Sequence, residues 1–317
     1  MAQRFVIDVD TGTDDAVAVM LAALHPDCDL TAATTVNGNV PVTYCTENTL
    51  RTLDFIGKSE IPVYEGCAEP IADADFPTPR APGESKVHGD YLDLPPAHSK
   101  KQPLAAARFL SEHFADEATR VDRPTLVPTG PLSNVALALK LDPNFGTNVK
   151  RLVIMGGGHE VVNVTPSAEF NIWADPEAAH VVLTSGIEEI VLVPLDATHR
   201  ALVSLDDCAQ LRALGTPAGT AAATFIERRI HGYSQTQPLM RPGSAPVHDA
   251  LCVAFLIDPS VISIEKYWVD VDTMRGLTVG RTVVDTHQRS GREPNVWVAL
   301  DADEKKFVDL LLETFAG

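Results

Sequence analysis

The chain has 317 residues, with 43 Asp and Glu against 25 Lys and Arg, a net charge of −18. That balance argues against a nucleic-acid partner, because phosphate binding needs a basic footprint. No apolar run approaches the roughly 20 residues that span a bilayer, and 45% hydrophobic with 21% charged residues describes a globular protein with a substantial core.

"RFVIDV" (4–9) has strand length and apolar character, and "DDAVAVMLAAL" (14–24) follows with helical propensity. A strand pattern that begins at Arg4 leaves no room for a signal peptide. "DLTAATTV" (29–36) predicts a second strand, "PVTYCTENTLRTLDFIG" (41–57) a helix closed by Gly57, and "IPVYEG" (61–66) a short third strand. Residues 68–102, rich in Pro, Ala and Asp, read as a long binding loop or lid. The alternation resumes with strands at 124–129, 151–157 and 189–195 and helices at 131–141 and 175–186. Beyond 260 the pattern is strand-rich, at 262–272, 276–285 and 295–301, before a closing helix over 303–315. The expected architecture is α/β and Rossmann-like: one domain over 1–317, a mostly parallel central sheet flanked by helices. The strands are apolar without strict alternation, as strands buried on both faces are. Cys28, Cys45, Cys67, Cys208 and Cys252 are scattered with no CxxC, which reads as reduced thiols in a cytoplasmic protein.

The first strand–helix junction carries the chemistry. Asp8, Asp10, Asp14 and Asp15 fall within eight positions with Thr11 among them and no basic residue. In parallel sheets ligands bind beyond the carboxyl ends of strands, where such a junction lies. Gly12 would permit a tight bend there. Helix capping explains one Asp or two. Three converging carboxylates repel one another and raise each other's pKa, a conflict that a hard cation with oxygen ligands removes. Capping and a cation site both stay open on spacing alone. "DTG" (10–12) fails as an aspartic-protease motif, since no second DTG or DSG is present to share the proton. "DVDTGT" (8–13) also resembles the DxDxT box of aspartyl-phosphate phosphatases, with Asp8 as nucleophile and Asp10 as acid–base. A nucleoside-binding protein without catalysis is a third alternative.

The whole stretch resembles the inosine–uridine-preferring nucleoside hydrolases, whose N-terminal hallmark is DxDxGxDDAxA; here it is Asp8 through Ala18. The resemblance continues in order through "TTVNGNV" (34–40), "VPTGPLSNVALAL" (127–139), "MGGG" (155–158), "AEFNIWADPEAA" (168–179) and "VHDALCVAFLIDP" (247–259). It implies the nucleoside hydrolase fold, a homodimer or homotetramer, and Ca²⁺-dependent hydrolysis of ribonucleosides, purine or pyrimidine, to ribose and free base. It further implies a Ca²⁺ held by Asp10, Asp15, Asp249 and the Thr129 carbonyl, with Asp10 as general base. By the same resemblance Asp14, Asn163, Glu169 and Asn171 hold the ribose hydroxyls, Asn39 is another polar residue of the pocket, Met155 packs on the sugar, and His248 protonates the leaving base. His88 matches a second histidine near the base, although "HGDYLDLPP" lacks the Gly-Leu pair that usually follows. His231, Tyr233, Gln235, Gln237 and Arg241 are long enough to reach a base edge from 227–246. Trp173 reads better as a buried tryptophan than as a stacking platform. Taken singly, Asp249 would be a helix cap and Asp175 likewise.

Overall fold

The computed structural model describes residues 2–72, 87–116 and 123–317. β1 (Gln3–Val9) leads into α1 (Thr13–Leu24), β2 (Cys28–Thr35) into α2 (Val42–Phe55), and β3 (Val63–Glu65) precedes α3 (Ala106–Ala115). β4 (Thr125–Pro128), α4 (Ser133–Leu141), α5 (Phe145–Asn148) and β5 (Arg151–Met155) follow. Then come α6 (Phe170–Ala174), α7 (Pro176–Leu183), β6 (Ile190–Val193) and α8 (Leu195–Thr198). After β7 (Leu202–Ser204) and α9 (Leu205–Ala213), the 20-residue α10 (Pro217–Thr236) leads to β8 (Ser244–Pro246) and α11 (His248–Ile257). β9 (Ile262–Tyr267), β10 (Val269–Val271), β11 (Thr282–Val284), β12 (Val296–Ala302) and α12 (Glu304–Ala316) close the chain.

Eight strands form one sheet in the order β3-β2-β1-β4-β5-β6-β12-β9. Every pairing in it is parallel except β12 with β9. The period of two along β1 assigns its faces. Phe5, Ile7 and Val9 pack with Val17 and Leu21 of α1, Leu251 and Phe255 of α11 and Phe307 of α12. Val6 packs on the other side with Leu110 and Phe114 of α3, Val135 of α4 and Val182 of α7. Each such side chain contributes roughly 1.5–3 kcal/mol by leaving water. α1 is buried on all sides from Thr13 to Ala22, which its Ala- and Val-rich sequence allows and a charged surface helix would not.

The strand-rich tail departs from expectation. The run 262–272 breaks at Trp268 into β9 and β10, and of 276–285 only Thr282–Val284 is strand, paired antiparallel with β10 in a separate ribbon. Alternating apolar residues at 276–285 fit a strand but also a bend, and Gly276 and Gly280 take the chain out of the ladder. α3, α9 and most of α10 lie outside the expected elements. Part of the long loop, 73–86, lies outside the described residues. Among the described residues, no helix is long and apolar enough to cross a membrane.

What matters for function is where the strand order reverses. The chain winds outward from β1 to β3, then crosses back to place β4 on the other side of β1. A crevice opens beyond the carboxyl ends of strands at such a point. Asp10 follows β1 and Thr129 follows β4 there.

Candidate active site

A cavity of about 340 Å³ occupies this crevice, and Asp10, Asp14, Thr129, His248 and Asp249 are among its lining residues. Its floor is acidic. One carboxylate oxygen from each of Asp14, Asp15 and Asp249 lies within 4.8 Å of the others, all three residues buried. Asp10 is next to them and electrostatically tied to Asp15 first. Burial, and after it the neighbouring carboxylates, raise Asp10 and Asp249 well above the ordinary carboxylate range and push Asp15 to about 7. Such a cluster fits a cation, because the donors are all hard oxygens.

Capping and clustering turn out to be compatible. Asp15 Oδ2 accepts from Gly12 N at 2.9 Å and Asn39 Nδ2 at 3.3 Å, and Oδ1 accepts from Thr129 Oγ1 at 3.0 Å. Asp10 Oδ2 accepts from Asn39 N at 2.6 Å. Asp249, by contrast, makes no cap: it sits in the first turn of α11 behind an N-cap at Val247. Asp175 does cap α7, through Ala178 N at 3.0 Å. Two glycines are explained by contact. A Cβ on Gly38 would lie 2.1 Å from Asp10 Oδ2, and one on Gly12 would lie 2.1 Å from His88 Nδ1. The chain does bend at Gly12, but its φ of −100° is open to any residue; the residue is small to admit an imidazole.

The side wall is polar and rigid. Glu169 caps α6, with Oε1 accepting from Asn171 N at 2.9 Å and Oε2 from Gly157 N at 2.8 Å. Burial raises its carboxyl to about 7. Asn171 Nδ2 donates to the Thr129 carbonyl at 2.7 Å, and also approaches Met155 O and Sδ. Asn163 Oδ1 accepts from Phe170 N at 2.9 Å. Asn39, Met155, Asn163, Glu169 and Asn171 all line the cavity, so every residue expected to face a sugar does reach it.

The opposite wall holds the groups that could face a base. His88 Nδ1 accepts from Thr13 N at 3.0 Å, capping α1 from outside. Tyr233 Oη lies 2.6 Å from His248 Nε2, and His248 Nδ1 lies 2.7 Å from Thr198 Oγ1. Thr198 and Tyr233 thus hold the His248 ring from its two nitrogens. Burial, and next the charge of Arg229, hold His248 well below the usual imidazole range. Of the other residues expected here, Gln237 reaches the cavity. His231 and Gln235 bond each other on the surface, and Arg241 pairs with Glu304. Their helix face and loop point away from the crevice. Trp173 is partly buried outside the cavity lining, and Phe170 takes the aromatic place inside it.

Arg229 is the residue that sequence reading missed. No basic residue stands near the acids in sequence, yet α10 brings Arg229 Nη1 to 2.7 Å from Asp14 Oδ1, both side chains buried. Burial would raise Asp14, but Arg229, then His88 and His248, outweigh it and hold the carboxyl below its ordinary value. Only the run of helix "ATFIERRIHGY", in which one arginine must face inward, could have hinted at it. Asp8, the nucleophile of the phosphatase alternative, is fully buried, bonded by Thr34 Oγ1 at 2.6 Å and Asn134 Nδ2 at 2.8 Å, and does not line the cavity.

The same architecture recurs in known proteins. The family described as inosine-uridine preferring nucleoside hydrolase matches residues 5–309. The chain is 36% identical over 317 residues to the pyrimidine-specific ribonucleoside hydrolase RihA of Shewanella sp. (strain ANA-3), covering 100% of this chain and 97% of that one. Among solved structures, it superposes on the purine-preferring ribonucleoside hydrolase from Gardnerella vaginalis with a TM-score of 0.89 at 29% identity, covering 99% of this chain and 98% of that one. A plant nucleoside hydrolase, PpNRh1, gives 0.89 at 27% identity over the full length of both chains.

Proposed function

The chain belongs to the inosine-uridine preferring nucleoside hydrolase family and is a ribonucleoside hydrolase; from that premise we propose a calcium-dependent cleavage with Asp10 as general base. The observation that carries this reading is the floor of buried carboxylates at the switch point of the sheet. Asp10, Asp15, Asp249 and the Thr129 carbonyl would hold the ion, with Asp14 beside them. All-oxygen donors with several charges suit Ca²⁺. Bound there, the ion would lower the pKa of a water and offset the burial and mutual repulsion that raise Asp10, Asp15 and Asp249.

The chain's own residues do the rest. Asp14, Asn39, Asn163, Glu169 and Asn171 orient the ribose, on a wall already fixed by backbone hydrogen bonds. Asp10 takes a proton from the attacking water, which adds to C1′ as the C1′–N bond breaks and its electron pair passes to the base. The proton for the base comes from the Tyr233–His248 pair, which shares one across 2.6 Å. Thr198 fixes the ring behind it. The phosphatase alternative lacks an accessible nucleophile, since Asp8 is sealed from the cavity. A non-catalytic binder would share every ribose contact and differ only in turnover. We also propose a homodimer or homotetramer, as membership in the family implies, which light scattering reads directly.

The test is a panel of uridine, cytidine, inosine and adenosine, with reducing sugar measured with and without chelator. Release of ribose that stops on chelation and returns with Ca²⁺ is the expected result. Binding without release would make the protein a binder, and release indifferent to chelator would remove the cation from the reaction.

A further inference from the structure

Arg229 is held more tightly than an ion pair requires, and one of its nitrogens is left over. Nε donates to the Pro246 carbonyl at 2.9 Å, and Nη1 reaches Asp14 Oδ1 at 2.7 Å and Thr13 Oγ1 at 3.4 Å. Nη2 makes no hydrogen bond with any described residue, although the side chain is only 2% exposed and lines the cavity. That nitrogen is not sealed from the cavity, so an acceptor on a ligand can take the place of water there. Its position gives it a partner.

We propose that Arg229 is a specificity-determining residue whose Nη2 donates to the 2-carbonyl of a pyrimidine base as it leaves. The assignment rests on the hydrolase reading above and deepens it. Arg229 stands between the two halves of the site: Asp14 of the acidic floor on one side, and on the other Tyr233, whose ring centre is 5.6 Å from the guanidinium carbon. A donor pinned there reaches the base only near the glycosidic bond. In a pyrimidine the acceptor nearest that bond is the exocyclic O2, which extends from the ring by the length of a C=O bond. In a purine it is a ring nitrogen, N3, with no such reach. When C1′–N1 breaks, the electron pair left on N1 is shared with O2, so a hydrogen bond there strengthens as the bond opens. Interactions that grow toward the transition state are the ones that accelerate the reaction. Arginine keeps its charge at any working pH and donates from a rigid plane, which a lysine does not.

The experiment combines base analogues with one variant. Uridine, 2-thiouridine and 4-thiouridine are compared on the wild-type enzyme, each rate divided by that of its uncatalysed hydrolysis. Sulfur is the weaker acceptor, so the 2-thio analogue should lose about 10–100-fold relative to the 4-thio analogue, the range of a hydrogen bond to a charged group. Arg229→Lys retains a cation for Asp14 but not a second donor nitrogen in a fixed plane. It should lower the ratio of uridine to p-nitrophenyl riboside turnover by about 10–100-fold and erase the 2-thio penalty. Equal penalties for the two thio analogues in the wild type, or an unmoved substrate ratio in Arg229→Lys, would overturn the assignment. If the variant does not fold, the analogue series on the wild type decides alone. A wild-type enzyme that releases ribose from no nucleoside fails the hydrolase reading itself, whereas release with equal penalties removes only Arg229's role.

Discussion

The acidic floor and the base-facing wall of this cavity are built on different plans. The floor comes from backbone ends: the turn after β1, the turn after β4 and the first turn of α11, each fixed by strand pairing or helix geometry. The wall comes from side chains on the last turns of α10 and from a loop segment around His88, held by contacts between distant elements. A floor of that kind can change little without losing the sheet. A wall of that kind can be re-tuned one residue at a time, which suits a family whose named members range from pyrimidine-specific to purine-preferring.

Asp10→Asn strikes the floor and should have the largest effect. The amide oxygen can still accept from Asn39 N, now at 2.6 Å from Oδ2, but it cannot take a proton. Loss of a general base typically costs about 10²–10⁴ in rate, so kcat should fall through that range while ribose binding, measured by calorimetry, changes little. A folded, calcium-loaded variant with near-normal kcat would move the base elsewhere.

His248→Ala strikes the wall and should be selective. A nucleobase leaves poorly as an anion, while p-nitrophenol does not. Turnover of uridine or inosine should drop on the order of 10²-fold, and the variant's loss on p-nitrophenyl riboside should be far smaller. Equal losses on both substrates would mean that the Thr198–His248–Tyr233 chain supports the fold or the floor.

The two regions also differ in how far sequence reveals them. Asp10, Asp14 and Asp15 fall on one strand–helix junction, so their convergence follows from local geometry, and the apolar strands around them specify a buried parallel sheet. The pairing of Arg229 with Asp14 spans 215 positions and depends on how α10 lies across α1, which no local pattern encodes. His231 and Arg241 looked as eligible as Tyr233, because helix phase and loop direction decide which side chains enter the crevice. Gly12 shows the same limit. The residue type was legible as a constraint, but its cause is a histidine 76 positions away.

Chelation should expose the floor's internal repulsion as a pH effect on stability. In the metal-free protein Asp15 and Glu169 sit at about 7, against ordinary values of 3.8 and 4.5. Between about pH 4 and 7 the folded chain therefore keeps protons that the unfolded chain has released. Stability then falls as pH rises through that window and levels off above it. Calcium binds the deprotonated Asp15, so saturating calcium should remove that residue's share of the decline and leave that of Glu169. Scanning calorimetry should show the two Tm curves diverging by roughly 5 °C from pH 5 to pH 7.5; parallel curves would mean that the ion does not bind at these carboxylates.

The smallest effect on turnover should come from Asp8→Asn, although Asp8 belongs to the same run of acids. It faces the layer of Val6, not the cavity, and burial raises its carboxyl to about 6 against the pull of the Thr34 and Asn134 hydrogen bonds. Its role is to tie β1 to β2 and α4, since Oδ1 takes Thr34 Oγ1 and Asn134 Nδ2. An asparagine can keep one oxygen toward those donors, so the cost should appear as about 1–3 kcal/mol of stability, with kcat within about threefold, as expected when no group in contact with substrate is changed. A phosphatase using Asp8 as nucleophile would instead lose all turnover, and trapping a phosphoryl or fluoroberyllate adduct on Asp8 would reverse the assignment of the whole floor. One substitution two residues from Asp10 thus separates the acid that folds the protein from the acid proposed to run its chemistry.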